Sequence, residues 1–377
     1  MCVARLFQRV FELGSVGREC LKSGQNFPIT SERAYSRGSK RMRKNWLSCC
    51  LALKRMHDSL HPDTVAVAIG RNEGLLLFDC LDSLFRQTAR VVYVDSGSTD
   101  RSIATARALG AEIVELDPAQ PFTAARARNG GMARLAEEEG PLYVQFIDGD
   151  CTLQPGWIAT ARAALEADPG LAIVCGRRRE RHPNASVYNR LIDREWDRPP
   201  GETKACGGDF MVRAEAFRQV GGFNPAVIAG EEPELCVRLR AAGWRILRLD
   251  AEMTLHDAAM HRFGQWWTRA RRAGYAYAFG AALHGAASER HCVRELRSAL
   301  VWGVALPAAI LLGAAITPWA LAALAAYPLQ IARLARRDGD WPYAAFLVLA
   351  KFAEAQGAAR YAWDRLTGRA ARIIEYK

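Results

Sequence analysis

The sequence lacks any pair of cysteines at the C-x-x-C spacing, although it contains ten cysteines. This absence argues against a zinc ribbon and against a thioredoxin-type redox site. The N-terminus also lacks an apolar segment followed by a small-residue cleavage site, so no secretory signal is predicted. We therefore expect free thiols in a reducing compartment. Because half of the 377 residues are hydrophobic, a disordered chain, a collagen-like fibre and a small disulfide scaffold are excluded.

The excess of positive charge is unevenly distributed along the chain. The formal net charge is +11, which suggests either nucleic acid or an anionic membrane surface as a partner. Residues 1–62 carry +8 and residues 296–377 carry +5, whereas residues 63–295 carry −2. The near-neutral centre makes nucleic-acid binding the weakest candidate. Residues 1–62 are predicted to be a basic, poorly organised extension without an assigned function.

Charged residues are absent from residues 298–332. This stretch is long for one membrane-spanning helix, which needs about 20 residues, and short for two. Pro318 and Trp319 could mark a turn, and arginines lie at both ends, so we expect a transmembrane hairpin over residues 296–337 with cytoplasmic ends. A buried helical pair of a soluble domain is the alternative. Residues 338–377 are predicted to form an interfacial helix and a basic tail.

The segment 63–295 reads as an α/β domain. β-branched, apolar runs at residues 64–69, 90–94, 111–116 and 142–147 alternate with segments of helical spacing. Strands alternating with helices predict a mostly parallel sheet flanked by helices. Ligands of such sheets bind at the carboxyl ends of the strands. Polar clusters follow three of these strands: Arg71-Asn72-Glu73, Asp95-Ser96-Gly97 and Asp148-Gly149-Asp150.

Three groups of residues are candidates for chemistry. Asp148 and Asp150 could hold a hard divalent cation, although Asp-Gly-Asp is also an ordinary turn. His256 could complete that site. Glu231 and Glu232 precede a helical segment, where an acid can act as a general base or merely favour the helix N-terminus.

A basic and aromatic run, residues 262–272, precedes the uncharged stretch. Its arginines could recognise phosphate. The alternative is a position at the membrane interface, with tryptophan and arginine as anchors.

In this order, the motifs resemble the family 2 inverting glycosyltransferases with the GT-A fold, over about residues 65–257. They are Arg71-Asn72-Glu73, Val94-Asp95-Ser96-Gly97-Ser98-Thr99-Asp100, Ala127-Arg128-Asn129-Gly130, Phe146-Ile147-Asp148-Gly149-Asp150, Gly207-Gly208-Asp209, Val220-Gly221-Gly222-Phe223, Gly230-Glu231-Glu232-Pro233-Glu234 and His256. The expected fold is therefore the GT-A nucleotide-diphospho-sugar transferase fold, followed by the C-terminal hairpin.

The resemblance implies a role for each matching residue. Residues on the donor side would be Arg71, Glu73, Asp95, Ser98, Arg128 and Asp148, with Asp95 reading the nucleobase. Asp150, Asp148 and His256 would hold Mg²⁺ or Mn²⁺ on the diphosphate. Gly208, Asp209, Arg269 and Arg272 would lie in the acceptor or diphosphate region.

Two departures from the family pattern affect these roles. The family usually has Glu-Asp before its last catalytic helix, but this chain has Glu231-Glu232. The base is therefore Glu232 or Glu231, and we favour Glu232. The Q-x-x-R-W motif of processive synthases is also missing, since residues 265–269 echo it only loosely, so a polymer-extruding enzyme is not expected.

The resulting hypothesis is a membrane-anchored, metal-dependent, inverting glycosyltransferase of exopolysaccharide or lipid-glycan assembly. It would transfer a sugar from a nucleotide-sugar to a membrane lipid or lipid-linked glycan at the cytoplasmic face of the membrane, with polysaccharide-assembly proteins as further partners. One alternative is a catalytically silent nucleotide-binding scaffold. A nucleotidyltransferase is another, but residues 70–74 do not supply the Gly-rich, Lys-bearing loop that it needs.

Overall fold

The computed structural model describes residues 63–136 and 140–369. The prediction for residues 1–62 lies outside the described residues. In the first half the strands are β1 (Thr64–Gly70), β2 (Val91–Asp95), β3 (Glu112–Glu115), β4 (Tyr143–Asp148) and β5 (Cys151–Leu153). The helices between them are α1 (Leu75–Phe85), α2 (Ser102–Leu109) and α3 (Ala124–Ala136).

The second half adds four strands and the remaining helices. The strands are β6 (Leu171–Glu180), β7 (Gly201–Glu202), β8 (Phe210–Arg213) and β9 (Arg245–His256). The helices are α4 (Trp157–Ala167), α5 (Val187–Trp196), α6 (Ala214–Gln219), α7 (Glu231–Ala241), α8 (Phe263–His284), α9 (Val293–Leu300), α10 (Leu306–Ala314), α11 (Ala326–Asp338) and α12 (Trp341–Leu366). A π-helical segment (Val301–Ala305) joins α9 to α10, and a 3₁₀ segment (Pro318–Ala325) precedes α11.

The strands form one mixed sheet in the order β3-β2-β1-β4-β8-β6-β9-β5, with β7 paired to β9. The pairs β1–β2, β1–β4 and β2–β3 are parallel, and β8 runs antiparallel to β4 and to β6. β1, β2 and β4 are rich in buried valine, isoleucine and alanine because helices cover the sheet. The expected α/β sheet with flanking helices is confirmed, and the strand–helix order of the first half agrees with the sequence pattern.

Helix α3 packs on the sheet through a glycine. A Cβ at Gly131 would lie 2.3 Å from Cγ1 of Val67 on β1, which is closer than any real contact. The helix therefore approaches the sheet more closely than a side chain would allow. This close approach fixes the position of Arg128, which lies almost one turn earlier on the same helix.

The C-terminal helices differ in how much of their surface is covered. Helix α12 packs along α8, and a Cβ at Gly274 or at Gly357 would collide with the backbone of the other helix. By contrast, Ile316 and Leu312 are 88% and 72% exposed. Among the described residues one helix, Val293–Ala314, is long and apolar enough to cross a membrane by length and composition. A hairpin over residues 296–337 is not shown and stays a prediction, as does an interfacial position for α12.

Candidate active site

A cleft of about 880 Å³ opens at the carboxyl ends of β1 and β4. In α/β sheets, nucleotides bind at this edge, where neighbouring connections leave in opposite directions. Of the predicted site residues, eleven line the cleft: Arg71, Glu73, Arg128, Asp148, Asp150, Gly208, Glu231, Glu232, His256, Arg269 and Arg272. The other three, Asp95, Ser98 and Asp209, are not among the lining residues, and Asp95 and Asp209 are buried. The fold thus brings together residues that are up to 201 positions apart in the sequence.

Asp148 ends β4 and lies between two arginines. Its Oδ1 accepts a hydrogen bond from Nη2 of Arg128 at 2.8 Å, and its Oδ2 from Nη2 of Arg178 at 3.3 Å. Burial alone would raise the pKa of Asp148, but Arg128 and Arg178 outweigh it, and the pKa is lowered overall. Asp148 is therefore a carboxylate at neutral pH.

Asp150 and His256 are neighbours because β5 and β9 are antiparallel, with Cys151 paired opposite His256. His256 Nε2 lies 3.3 Å from Asp150 Oδ2, and its Nδ1 lies 3.9 Å from Glu180 Oε2. A carboxylate behind a ligating imidazole is the usual arrangement around a bound metal, because it orients the ring. Asp150 and His256 are both buried, and their ligand atoms could share one cation.

The residue types at this point suit a hard divalent cation. Oxygen and imidazole nitrogen are ligands of Mn²⁺, and oxygen is preferred by Mg²⁺. Cys151 is close to both residues, but burial raises the pKa of its thiol well above the usual value, which disfavours the thiolate form that binds soft metals. The donor set therefore fits an oxygen-seeking metal better than a thiolate-seeking one.

Glu231 and Glu232 also line the cleft. They begin α7 directly after Gly230, whose φ of 79° lies in the left-handed region. Arg128 Nη1 lies 3.2 Å from Oε1 of Glu231 and 3.1 Å from Oε1 of Glu232. Burial, followed by the charge of Glu231, raises the pKa of Glu232 to about 7 although Arg128 opposes the shift. A carboxyl group with this pKa can accept a proton near neutral pH.

Glu234 has a different environment from the two preceding acids. Its carboxylate accepts hydrogen bonds from Arg238, with Nη2 at 2.7 Å from Oε2, and lies 3.0 Å from Nε2 of His284. These contacts lower the pKa of Glu234 despite its burial. Glu234 is absent from the lining of the cleft and fixes α7 to its neighbours.

The two loops after β1 and β2 are bonded to each other. Asp95 accepts from the Tyr93 hydroxyl at 3.0 Å and from the backbone N–H of Gly97 and Ser98 at 2.9 and 2.7 Å. Ser98 Oγ in turn accepts from the Asn72 N–H at 2.9 Å. The hydrogen bonds of Asp95 and Ser98 thereby hold the loop after β2 against the loop after β1. Arg71 and Glu73 of the latter loop line the cleft.

Gly208 and Asp209 lie beside Asp148. A Cβ at Gly208 would lie 2.9 Å from Asp148 Oδ2, so only glycine leaves room for the carboxylate. Asp209 is fully buried and accepts from the Asp148 backbone N–H at 3.1 Å and from Thr254 Oγ1 at 2.7 Å. Its contacts hold the end of β4 in place.

Helix α8 supplies the remaining wall. Arg269, Arg272 and Ala276 lie on the face that lines the cleft. Arg269 donates to both carboxylate oxygens of Glu195, at 2.7 and 3.0 Å. This wall joins the cleft to the C-terminal helices, because the other face of α8 packs on α12.

Sequence reasoning missed Arg178, Phe122 and Trp196, which all line the cleft. Arg178 lies over the ring of Trp196, with Cζ 4.7 Å from the ring centroid, and contacts Asp148 and Asp209. Phe122 lies under the guanidinium group of Arg71. The run Arg177-Arg178-Arg179 within a buried strand was a signal for the first of these, because an unpaired buried charge is costly. The other two have no comparable signal.

Comparisons with known proteins agree with this geometry. Residues 67–220 match the family model "Glycosyl transferase family 2", and residues 191–262 match "N-terminal domain of galactosyltransferase". A curated relative, the pre-mycofactocin glycosyltransferase from two strains of Mycobacterium tuberculosis, is 29% identical over 210 residues. The match covers 52% of this chain and 43% of the relative, so the chain spans less than half the length of these relatives.

A solved structure shows the same fold. The mannosyltransferase from Pyrobaculum calidifontis, in complex with GDP-Man and Mn²⁺, superposes with a TM-score of 0.55 at 20% identity. The superposition covers 81% of this chain and 89% of the other. The GT-A fold expected from the motifs is thereby confirmed. Residues 67–220 therefore carry a glycosyltransferase family 2 domain, and the chain has a GT-A fold.

Proposed function

We propose that the chain transfers a sugar from a nucleotide-sugar to an acceptor hydroxyl, with inversion at the anomeric carbon. The observation that carries this proposal is that one cleft is lined by two chemically different groups of residues. Asp148, Asp150 and His256 form the first group, and Glu231 with Glu232 forms the second. The first group suits a diphosphate leaving group, and the second a proton acceptor. A single displacement needs these two groups on opposite faces of the reacting carbon.

The chain's own residues can perform the reaction in one step. The Glu232 carboxylate removes the proton from the acceptor hydroxyl, and the oxygen attacks the anomeric carbon as the bond to the diphosphate breaks. Asp150 and His256 would hold Mg²⁺ or Mn²⁺, which when bound offsets charge on the leaving diphosphate. Glu180 lies behind the His256 ring, 3.9 Å from its Nδ1, and α8 lines one wall of the cleft. Cation binding here is part of the proposal.

The acceptor we propose is a lipid or lipid-linked glycan at the cytoplasmic face of the membrane. The exposed apolar helix Val293–Ala314 is preceded by Arg290, and the stretch that follows it ends at Arg333. Positive charge beside a hydrophobic segment favours the cytoplasmic side and anionic headgroups. Helix α8 places the cleft next to these helices, so an acceptor held in a bilayer could reach Glu232. A role in polysaccharide assembly would follow from such an acceptor.

The test is a donor screen with the purified full-length chain and Mn²⁺ or Mg²⁺. UDP-, GDP- and dTDP-linked hexoses are offered one at a time, and release of nucleoside diphosphate is measured. At least one donor is expected to give release that stops on chelation of the metal. Release of pyrophosphate instead would favour a nucleotidyltransferase, and nucleotide binding without turnover would favour a scaffold. Either result contradicts the proposal.

A further inference from the structure

Arg128 contacts both groups of acidic residues that line the cleft, Asp148 and the Glu231–Glu232 pair. Its Nη2 donates to Asp148 Oδ1 at 2.8 Å and to the Gly208 carbonyl oxygen at 3.1 Å. Its Nη1 lies within 3.2 Å of both Glu231 and Glu232. One planar group therefore contacts the carboxylate next to the candidate cation site and both candidate bases.

The burial of Arg128 limits what else it can touch. The side chain is 1% exposed, and its guanidinium carbon lies 5.5 Å from the centroid of the Phe223 ring. Every terminal nitrogen already meets a protein oxygen. A ligand in the cleft could reach the guanidinium only by displacing one of these partners. This position differs from the donor contact that the resemblance implies.

The surroundings of Arg128 are rigid. Gly131 packs α3 against the sheet, as described above. The neighbouring Asn129 donates to the Phe223 carbonyl oxygen at 2.8 Å and accepts from the Phe223 N–H at 3.0 Å. These bonds connect α3 to the segment that leads into α7. The packing of α3 on the sheet and the hydrogen bonds of Asn129 to Phe223 thus position the guanidinium group. Its planar fork is therefore preorganised for the carboxylates that it contacts.

We infer that Arg128 is a positioning residue that holds Asp148 and the Glu231–Glu232 pair in register across the cleft, without contacting the donor. Arginine suits this task because its planar fork can serve carboxylates on two sides at once. Lysine keeps the charge but has one nitrogen and cannot span both sides. Donor binding should therefore survive the loss of the fork, whereas the transfer step should not. This inference rests on the proposed function.

The test compares Arg128→Lys with Arg134→Lys. Arg134 lies on the same helix, pairs with Glu112 at 2.9 Å and does not line the cleft, so it controls for the chemical change. The most active donor of the screen is used for kcat and KM, and binding of GDP and UDP with Mn²⁺ is measured by calorimetry. Arg128→Lys is expected to lower kcat about 100-fold, as displacement of a catalytic group by about 1 Å does. Its donor KM and nucleotide Kd should stay within about threefold of wild type, the sign of an interaction made in the transition state. Arg134→Lys should change neither.

A tenfold or larger rise in donor KM or nucleotide Kd, with kcat retained, would make Arg128 a donor contact and overturn the inference. Unchanged kcat and KM would overturn it too. Arg128→Gln is a second variant, assayed at a temperature where it still binds nucleotide. It must likewise show a lowered kcat with an unchanged donor KM. If circular dichroism shows this variant folded but it binds no nucleotide at any such temperature, the inference is contradicted. A wild-type chain that releases no nucleoside diphosphate from any donor contradicts the proposed function itself.

Discussion

The floor of the cleft and the helix Val293–Ala314 depart from the usual distribution of residues in opposite directions. The cleft buries charge: Arg128, Asp150, Asp209 and Glu231 are each at most 5% exposed. The helix leaves apolar side chains uncovered, with Leu311 70% exposed. A folded chain normally avoids both conditions, because unpaired buried charge and exposed apolar surface each cost free energy. Where a sequence retains buried charge or exposed apolar surface, a bound ligand or a membrane that lowers this free-energy cost is the natural explanation.

The two regions also differ in how their surroundings compensate. In the cleft, Arg128 pairs with Asp148, Glu231 and Glu232, and Arg178 pairs with Asp148 and Asp209, so these buried charges are compensated within the protein. The apolar helix packs on α12 at Gly303, but Leu311 and Leu312 stay exposed. The cleft is therefore poised for a small charged ligand, whereas the helix needs an extended apolar environment. The predictions below test whether the cleft carries out the chemistry and the apolar helix anchors the chain to a membrane.

The largest effect is expected for Glu232→Gln. Removing the proton acceptor should lower kcat about 10³-fold, within the usual range for general base catalysis. Nucleotide binding should persist, because the amide keeps the shape of the side chain. Sugar transfer and GDP or UDP binding are measured together. The control is Glu215→Gln, an exposed acid in the first turn of α6. Full activity of Glu232→Gln would remove this residue from the mechanism.

A second effect is expected at the candidate cation site. Asp150→Asn should raise the Mn²⁺ concentration for half-maximal activity about 10- to 100-fold, the usual cost of weakening a metal site. The matched control is Asp250→Asn, an exposed carboxylate on the same strand, β9, as His256. Mn²⁺ binding is followed by electron paramagnetic resonance without nucleotide, which separates cation binding from catalysis. Equal Mn²⁺ affinity of wild type and Asp150→Asn would contradict the assignment.

An intermediate effect concerns the apolar helix. Leu312→Arg places a charge within the apolar helix that is proposed to enter the bilayer, at a cost of up to about 3 kcal/mol. The share of protein that floats with vesicles should fall, while nucleoside diphosphate release in detergent stays unchanged. Leu142→Arg, at an exposed leucine of the catalytic domain, should not alter flotation. If both variants float like the wild type, the helix does not anchor the chain.

The smallest effect is a change in pH dependence. Because the proposed base is the carboxylate form of Glu232, whose pKa is raised to about 7, kcat should fall as the pH drops through 7. Glu231→Gln removes a like charge that raises this pKa. The acidic limb should therefore move to lower pH, with the maximal rate kept within about tenfold. Loss of all activity in Glu231→Gln would make Glu231 the base.

The strand–helix alternation was predictable because buried strands and amphipathic helices leave distinct periodicities. The positions of Asp148, Asp150 and Glu232 at the cleft also followed from motifs at strand and helix ends. The pairing of Asp150 with His256 could not be derived from periodicity, because it depends on β5 and β9 lying side by side. The residue type made His256 a candidate ligand, and the resemblance implied the same role, but neither showed which strand would lie beside it.

Other features depended on three-dimensional packing. The burial of Asp95 behind its own loop reflects hydrogen bonds to Gly97 and Ser98 that no pattern specifies. The bridging position of Arg128 requires α3 and α7 to meet over Asp148, and these segments are about 100 residues apart. Helix α12 was predicted at the interface from its mixed composition. Its packing on α8 depends on two glycines, Gly274 and Gly357, which came together only through the fold.

The most direct test of the account is the stereochemistry of transfer. The product of the most active donor and its acceptor is followed by proton nuclear magnetic resonance from the first turnovers, before the anomers equilibrate. A single displacement assisted by Glu232 predicts that the anomeric configuration of the product is opposite to that of the donor. Retention of the donor's configuration would contradict the one-step mechanism and the role of the carboxylate pair as base.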